Sequence, residues 1–226
     1  MFILIDVKMK PIILINFKTY KEAIGNSALD IAKKLDKIKN KKYQIIVAPS
    51  LLTMKEVAQK TNLMVFSQHT DHVGLGAHTG RIPAEELQKT GIKGTILNHS
   101  ERKIPLKYLK EIVEICKGKK LKTVICASSL SEIKKIVSLR PDYIAYEPKE
   151  LIGTNISVTE AKPEIILKAV ELVKELSPKT HLLCGAGIHT KEDLGHALLL
   201  GTSGVLIGHA IPKAKDPKKA LEEMLL

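Results

Sequence analysis

Eight times along this chain a short, unalternating run of aliphatic residues gives way to polar or glycine residues and then to a helical pattern. This repetition limits the fold more than any other feature. The runs are Ile12–Ile15, Gln44–Ala48, Leu63–Ser67, Gly94–Leu97, Lys122–Ala127, Tyr143–Tyr146, His181–Cys184 and Gly204–Ile207. A strand with one wet face alternates apolar and polar residues, so unbroken apolar runs predict strands buried on both faces. Between them lie amphipathic stretches such as Ala28–Lys39, Pro105–Cys116, Ser131–Val137, Pro163–Leu176 and Lys191–Leu200. Strands alternating with helices imply βαβ units and a parallel sheet.

Eight units with no linker-like shift in composition predict an α/β chain folded as a single (β/α)8 barrel over residues 1–226. A doubly wound open sheet is the structural alternative, because alternation alone does not establish closure. The 226-residue length lies near the lower end for such barrels, which predicts a compact one. Short segments after the fifth and seventh runs predict abbreviated helices there. The composition agrees: 44% of residues are hydrophobic but only 4% are aromatic, with no Trp, so the core must be aliphatic.

The net charge of +12 favours anionic partners without choosing between nucleic acid and phosphorylated metabolites. The Lys residues sit mostly within helical patterns, as in Lys33, Lys34, Lys37 and Lys39, where they read as solvated faces. Cys116, Cys126 and Cys184 are far apart and form no CxxC pair, so neither a disulfide framework nor a thiolate metal site is indicated, and free thiols in a reducing cytosol are expected. The apolar opening Phe2–Ile5 has no basic flank and is too short for a signal peptide, and no later stretch is long enough to span a membrane. Met9 is an alternative start, which would make residues 1–8 an extension.

The residues with chemistry gather where the runs end: Asn16 and Lys18, Gln68 and His69, Asn98 and His99, Glu147, Gly185 and Gly187, and Gly208. In a barrel these ends converge on one rim, where the active site lies. A Lys two residues beyond a buried strand can reach an anionic substrate, although alone Lys18 reads more readily as one of many surface lysines. His99, followed by Ser100 and Glu101, stands at the start of a turn whose backbone N–H groups would oppose protonation of its ring. A structurally satisfied His is the plain alternative. Glu147 closes an apolar strand, where burial would make its carboxylate a better base; a structural ion pair would explain it equally. The following segment contains Gly153 and suits a loop that closes over a ligand. Gly185-Ala186-Gly187 and Gly208-His209 form turns whose backbone N–H groups could approach a phosphate.

Taken together, these residues resemble triosephosphate isomerase, in the family's order and from about Pro11 through nearly the whole chain. The resemblance rests on Asn16-x-Lys18, Asn98-His99-Ser100-Glu101, Tyr146-Glu147-Pro148 with Ile152-Gly153-Thr154, and the paired glycine turns. Gly76-Ala77-His78-Thr79-Gly80 is similar to the family's dimer-contact loop, and the Glu150-Leu151-Ile152-Gly153 lid resembles the archaeal branch. The resemblance implies a TIM barrel and an intramolecular aldose–ketose isomerase of glycolysis and gluconeogenesis. The substrate would be a small phosphorylated triose, interconverted between dihydroxyacetone phosphate and D-glyceraldehyde 3-phosphate. It implies no cofactor, no metal, a cytoplasmic location and a homo-oligomer, with a tetramer favoured over a dimer. This family is itself the standard example of a carboxylate base paired with a neutral imidazole, and the roles are taken from it. Glu147 would be the base and His99 the neutral electrophile. Lys18 would stabilise negative charge beside Asn16, with Glu101 a partner of Lys18. Gly153, Gly185, Ala186, Gly187, Gly208 and His209 would bind the phosphate.

The chain departs from the better-known bacterial and eukaryotic pattern at several positions. Gly187 stands in place of a Ser, Cys184 in place of a Tyr and His209 in place of a glycine; Asn155 replaces a hinge glycine, and the lid lacks its Trp. Two other readings compete. Another phosphosugar barrel enzyme would carry metal ligands or an Asp pair on the rim, and neither is present in the sequence. A non-catalytic basic barrel for nucleic acid or a protein partner would need no intact Lys18, His99 and Glu147, and would want an aromatic-rich basic patch that is missing here. His69, Asp71, His72 and His78 have ligand chemistry but match no metal-binding spacing.

Overall fold

The computed structural model describes residues 9–148 and 163–225. Eight parallel strands form one closed barrel in chain order: β1 Ile12–Asn16, β2 Gln44–Ala48, β3 Met64–Ser67, β4 Gly94–Leu97, β5 Lys122–Ala127, β6 Tyr143–Tyr146, β7 His181–Cys184 and β8 Gly204–Ile207. The open-sheet alternative is thereby excluded. The described helices are α1 Gly25–Asp36, α2 Leu51–Lys60, α3 Ala84–Lys89, α4 Leu106–Gly118, α5 Leu130–Val137, α6 Pro163–Leu176, α7 Lys191–Leu199 and α8 Pro217–Met224.

The unbroken apolar runs have a direct structural cause. Along β1, Ile12 and Leu14 join a cluster with Ile46, Phe66, Ile96, Val124, Leu183 and Leu206 inside the barrel. Ile13 and Ile15 belong instead to the larger cluster between barrel and helices. Each strand thus buries both of its faces, as period-two geometry requires. The seam of the barrel runs between β1 and β8, with Ile12 opposite Gly204 and Ile15 opposite Ile207. A Cβ on Gly204 would lie 2.1 Å from the Ile12 carbonyl oxygen, so only glycine lets the ring shut at this register.

Local signals set several helix starts. Thr190 and Asp193 form a reciprocal capping box at α7, and Asp216 caps α8 ahead of Pro217. No side-chain cap marks α1, which starts at Gly25 rather than at the expected Ala28, after a single 3-10 turn at Lys21–Ala23. The helices after β5 and β7 are short, with 8 and 9 residues. The shortest described helix is α3, with 6 residues. Its connection from β3 is a long loop folded on Asp71, which accepts the Ile82 N–H (2.8 Å) and the Arg81 guanidinium (3.0 Å). All three cysteines are buried free thiols. Among the described residues no helix is long and apolar enough to cross a membrane.

Candidate active site

Three side chains meet at the C-terminal rim of the barrel. Lys18 follows β1 with a left-handed backbone (φ 49°), an unusual conformation for a residue with a Cβ. Three hydrogen bonds hold this turn. The Lys18 N–H donates to Asn16 Oδ1 at 3.0 Å, and the Gln68 amide donates to the carbonyls of Lys18 and Ala48, both at 2.9 Å. The Lys18 ammonium then lies 2.6 Å from Glu101 Oε1. Burial pulls its pKa down, but the hydrogen bond and charge of Glu101 outweigh this, and the net shift is upward.

His99 follows β4 by way of Asn98, which is also left-handed (φ 56°). The Asn98 side chain donates to the Cys126 carbonyl (2.9 Å) and Glu132 (2.8 Å), and accepts the Ile104 N–H (3.0 Å). Glu132 also receives Ser128 and Lys103. Burial would raise the Glu132 pKa, yet these donors, led by the Ser128 N–H, hold it down at about 2. The network fixes where the chain leaves β4. The His99 ring accepts the Glu101 N–H at Nδ1 (3.2 Å), as expected of a ring at a turn start. That bond assigns the single proton of the neutral ring to Nε2. Burial, followed by the Lys18 charge, lowers the His99 pKa to about 4.

Glu147 follows β6, its N–H bonded to the Ala127 carbonyl at 2.8 Å. The residue is 6% exposed. Burial raises its carboxyl to about 7, with Lys18 opposing. Its Oε1 is 3.5 Å from His99 Nε2, so a neutral donor and a basic carboxylate face one another. Gly185 is essential to this placement, because a Cβ there would come within 2.6 Å of Glu147 Cγ.

The trio borders a cavity of about 290 Å³, closed on its other side by the turns after β7 and β8. Asn16, Glu101, Gly185, Ala186, Gly187, Gly208 and His209 all line it. Gly153, Asn155 and the rest of the expected lid lie outside the described residues. Cys184 is fully buried in the barrel–helix layer, with Sγ 3.7 Å from the Ala186 carbonyl, and it does not line the cavity. The sequence reading missed Tyr20, Ser100, Ile188 and His189 as lining residues, and flagged Gln68 and Asn98 by position without seeing what they hold. His189 had one available signal, a titratable ring two residues beyond a glycine turn. His69 faces Asp71 at 3.4 Å, while His72 stacks on Tyr108. Among the described residues no group of three or more His, Cys, Asp or Glu side chains could hold a metal ion.

A buried carboxylate tuned towards neutrality, a neutral imidazole N–H and an ammonium around one small cavity can move a proton on and off carbon while stabilising the oxyanion formed. The family model described as triosephosphate isomerase matches residues 11–224. A triosephosphate isomerase of Methanocaldococcus jannaschii is 41% identical over 95% of this chain and 98% of its own length. That of Methanothermus fervidus is 40% identical over 96% and 98%, and that of Archaeoglobus fulgidus 39% over 95% and 96%. With the family model spanning all eight strands and relatives matched over 95–96% of the chain, this chain belongs to the triosephosphate isomerase family of enzymes.

Proposed function

We propose that this chain interconverts dihydroxyacetone phosphate and D-glyceraldehyde 3-phosphate by proton transfer through an enediolate. The Glu147 carboxylate removes a proton from the carbon beside the carbonyl, and the electron pair moves through the new carbon–carbon double bond onto the carbonyl oxygen. That oxygen receives a hydrogen bond from His99 Nε2–H and the field of the Lys18 ammonium. His99 Nε2 gives its proton to that oxygen and takes the hydroxyl proton from the second oxygen, while Glu147 returns its proton to the neighbouring carbon and the second oxygen becomes the carbonyl. Electrons are conserved within one molecule, so the step requires no redox cofactor. The backbone of Gly185, Ala186, Gly187, Gly208 and His209, with Gly153 from the lid and the side chains of Asn16 and Lys18, binds the phosphate.

The observation that carries this reading is the Glu147–His99 pair, 3.5 Å apart with opposite proton demands: the acid held up at about 7, the imidazole held down at about 4. A Lys18 locked by Glu101 supports it. The same proposal takes residues 1–226 as one cytoplasmic domain and a homo-oligomer, tetramer favoured over dimer. Support for association comes from exposed Leu51, Leu52 and Leu75 beside the 76–80 loop; sedimentation of the purified chain tests it.

A coupled isomerase assay on both triose phosphates tests the chemistry. Glu147→Gln should lower kcat by about 10³-fold with a smaller change in KM. Turnover within about tenfold of the parent would remove Glu147 from the base role.

A further inference from the structure

The turns after β7 and β8 each bring an imidazole to the cavity where the phosphate end is assigned. His189 sits two residues beyond Gly187 and His209 directly after Gly208, and both line the cavity. Their ring centroids are 5.3 Å apart, with the planes inclined at 49°. His189 is anchored through its main chain, its N–H donating to Asp193 Oδ2 at 2.9 Å, which leaves its ring nitrogens uncommitted to that bond. The His209 carbonyl accepts the Lys213 N–H at 3.1 Å. Two protonated rings at this spacing would repel one another unless an anion came between them or beside them.

The inference rests on the isomerase reading of this cavity. We propose that His189 and His209 are specificity-determining contacts for the substrate's phosphate, with His209 taking up a proton from solvent as a dianion seats between the β7 and β8 turns. Backbone N–H groups carry no titratable charge, so glycine turns alone would bind a dianion with an affinity that changes little with pH. Imidazoles beside the same anion make its binding proton-linked, tightest at low pH and weaker as pH rises. Burial holds the His209 pKa down, helped by the charges of His189, Lys213 and Lys18. A bound dianion opposes each of these charges and reverses the direction.

Other ionisable groups surround this end of the cavity and must be separated from the pair. They are Lys18 and Tyr20 after β1, His99 and Glu101 after β4, Glu147 after β6, Asp193 in α7 and Lys213 before α8. Glu147 is the serious competitor, because it too gains negative charge near neutral pH and would repel an anion as pH rises. His99 is held neutral by burial well below that range.

The test is sulfate binding by calorimetry in Glu147→Gln protein, with no turnover required. Sulfate stays a dianion throughout, so any proton taken up comes to the protein. Its affinity should fall at least about tenfold between about pH 6 and about pH 8, the limit being tenfold per unit for each proton linked. In the same background His209→Gly should reduce that slope to about twofold or less, and His189→Gln should weaken sulfate binding at each pH by about threefold or more. Imidazole NMR titration of Glu147→Gln itself should show His209 moving to higher pKa when sulfate is added, a readout that survives if a double variant folds poorly. A flat affinity, an unchanged slope in His209→Gly, unchanged affinity in His189→Gln, an unmoved His209 imidazole or no sulfate binding would each overturn the proposal. None of these results bears on the proton transfer assigned to Glu147 and His99, which stands or falls on the coupled assay.

Discussion

On the side of the cavity formed after β1, β4 and β6, the polar groups are side chains, each with its leaving direction fixed by its neighbours. Lys18 is held through Gln68 and Glu101, His99 through Asn98 and the Glu101 N–H, and Glu147 through the absence of a side chain at Gly185. On the side formed after β7 and β8, the chain offers glycine turns, with Gly187 left-handed (φ 66°), and two histidines. Proton transfer tolerates little error in donor–acceptor placement, so its groups need rigid support. Anion binding needs exposed N–H groups and positive charge, which a bare turn supplies with little support behind it. The two sides therefore differ in what a substitution should do: placement and turnover on the first, affinity on the second.

Beyond Glu147→Gln, the strongest challenge to this division is Gly185→Ala. Gly185 belongs by position to the phosphate side, but its missing Cβ is space used by Glu147. Steady-state kinetics should give a fall in kcat of about 100-fold, since a displacement near 1 Å at the base suffices for that. A rise in KM alone would show that Gly185 serves only the anion.

The pH profile comes next. With Glu147 held up at about 7, the active carboxylate form is lost as pH falls through that value. The kcat/KM of the parent should therefore drop about tenfold per unit on the acid side. A profile flat down to about pH 5 would mean that the base titrates elsewhere.

Glu132 tests the support on the first side. Its folded pKa of about 2 lies below the ordinary 4.5, so its stabilisation is present above about 4.5 and lost as pH falls towards 2. In the parent this amounts to about 3 kcal/mol at most, since the side chain keeps some solvent contact. Thermal denaturation of Glu132→Gln should show lower stability at neutral pH and a flatter acid limb. Matching acid limbs in the two proteins would show that the carboxylate supplies no pH-linked stability. Smallest is Gln68→Ala, which frees the carbonyls of Lys18 and Ala48. It should cost about 1 kcal/mol in urea denaturation and reduce kcat a few-fold, with KM changed less. An effect on KM alone would place Gln68 with the anion side.

The barrel was legible because its strands are buried on both faces. That demand writes itself into a local run such as Ile12–Ile15 or Lys122–Ala127 and needs no knowledge of the neighbours. The trio was legible at strand ends, and the family motifs supplied its roles. What was hidden depends on pairings across the fold. Gln68 reaches Lys18 over 50 residues and Asn98 meets Glu132 over 34, distances at which residue type says nothing about partner. The brevity of α3 was hidden for the same reason, since it follows from a loop that closes on Asp71. The start of α1 lacked any capping side chain to announce it.

The seam between β1 and β8 joins Ile12 to Gly204, near opposite ends of the chain. Lys18 follows the first of these strands and Gly208 the second, and a Cβ on Gly208 would stand 3.6 Å from Lys18 Cε. During synthesis the ammonium, the imidazole and the carboxylate all emerge before the turn at Gly208. A nascent chain thus carries all three side chains long before the ring can shut around them, and the complete cavity arrives with the last strand as a single event rather than by degrees.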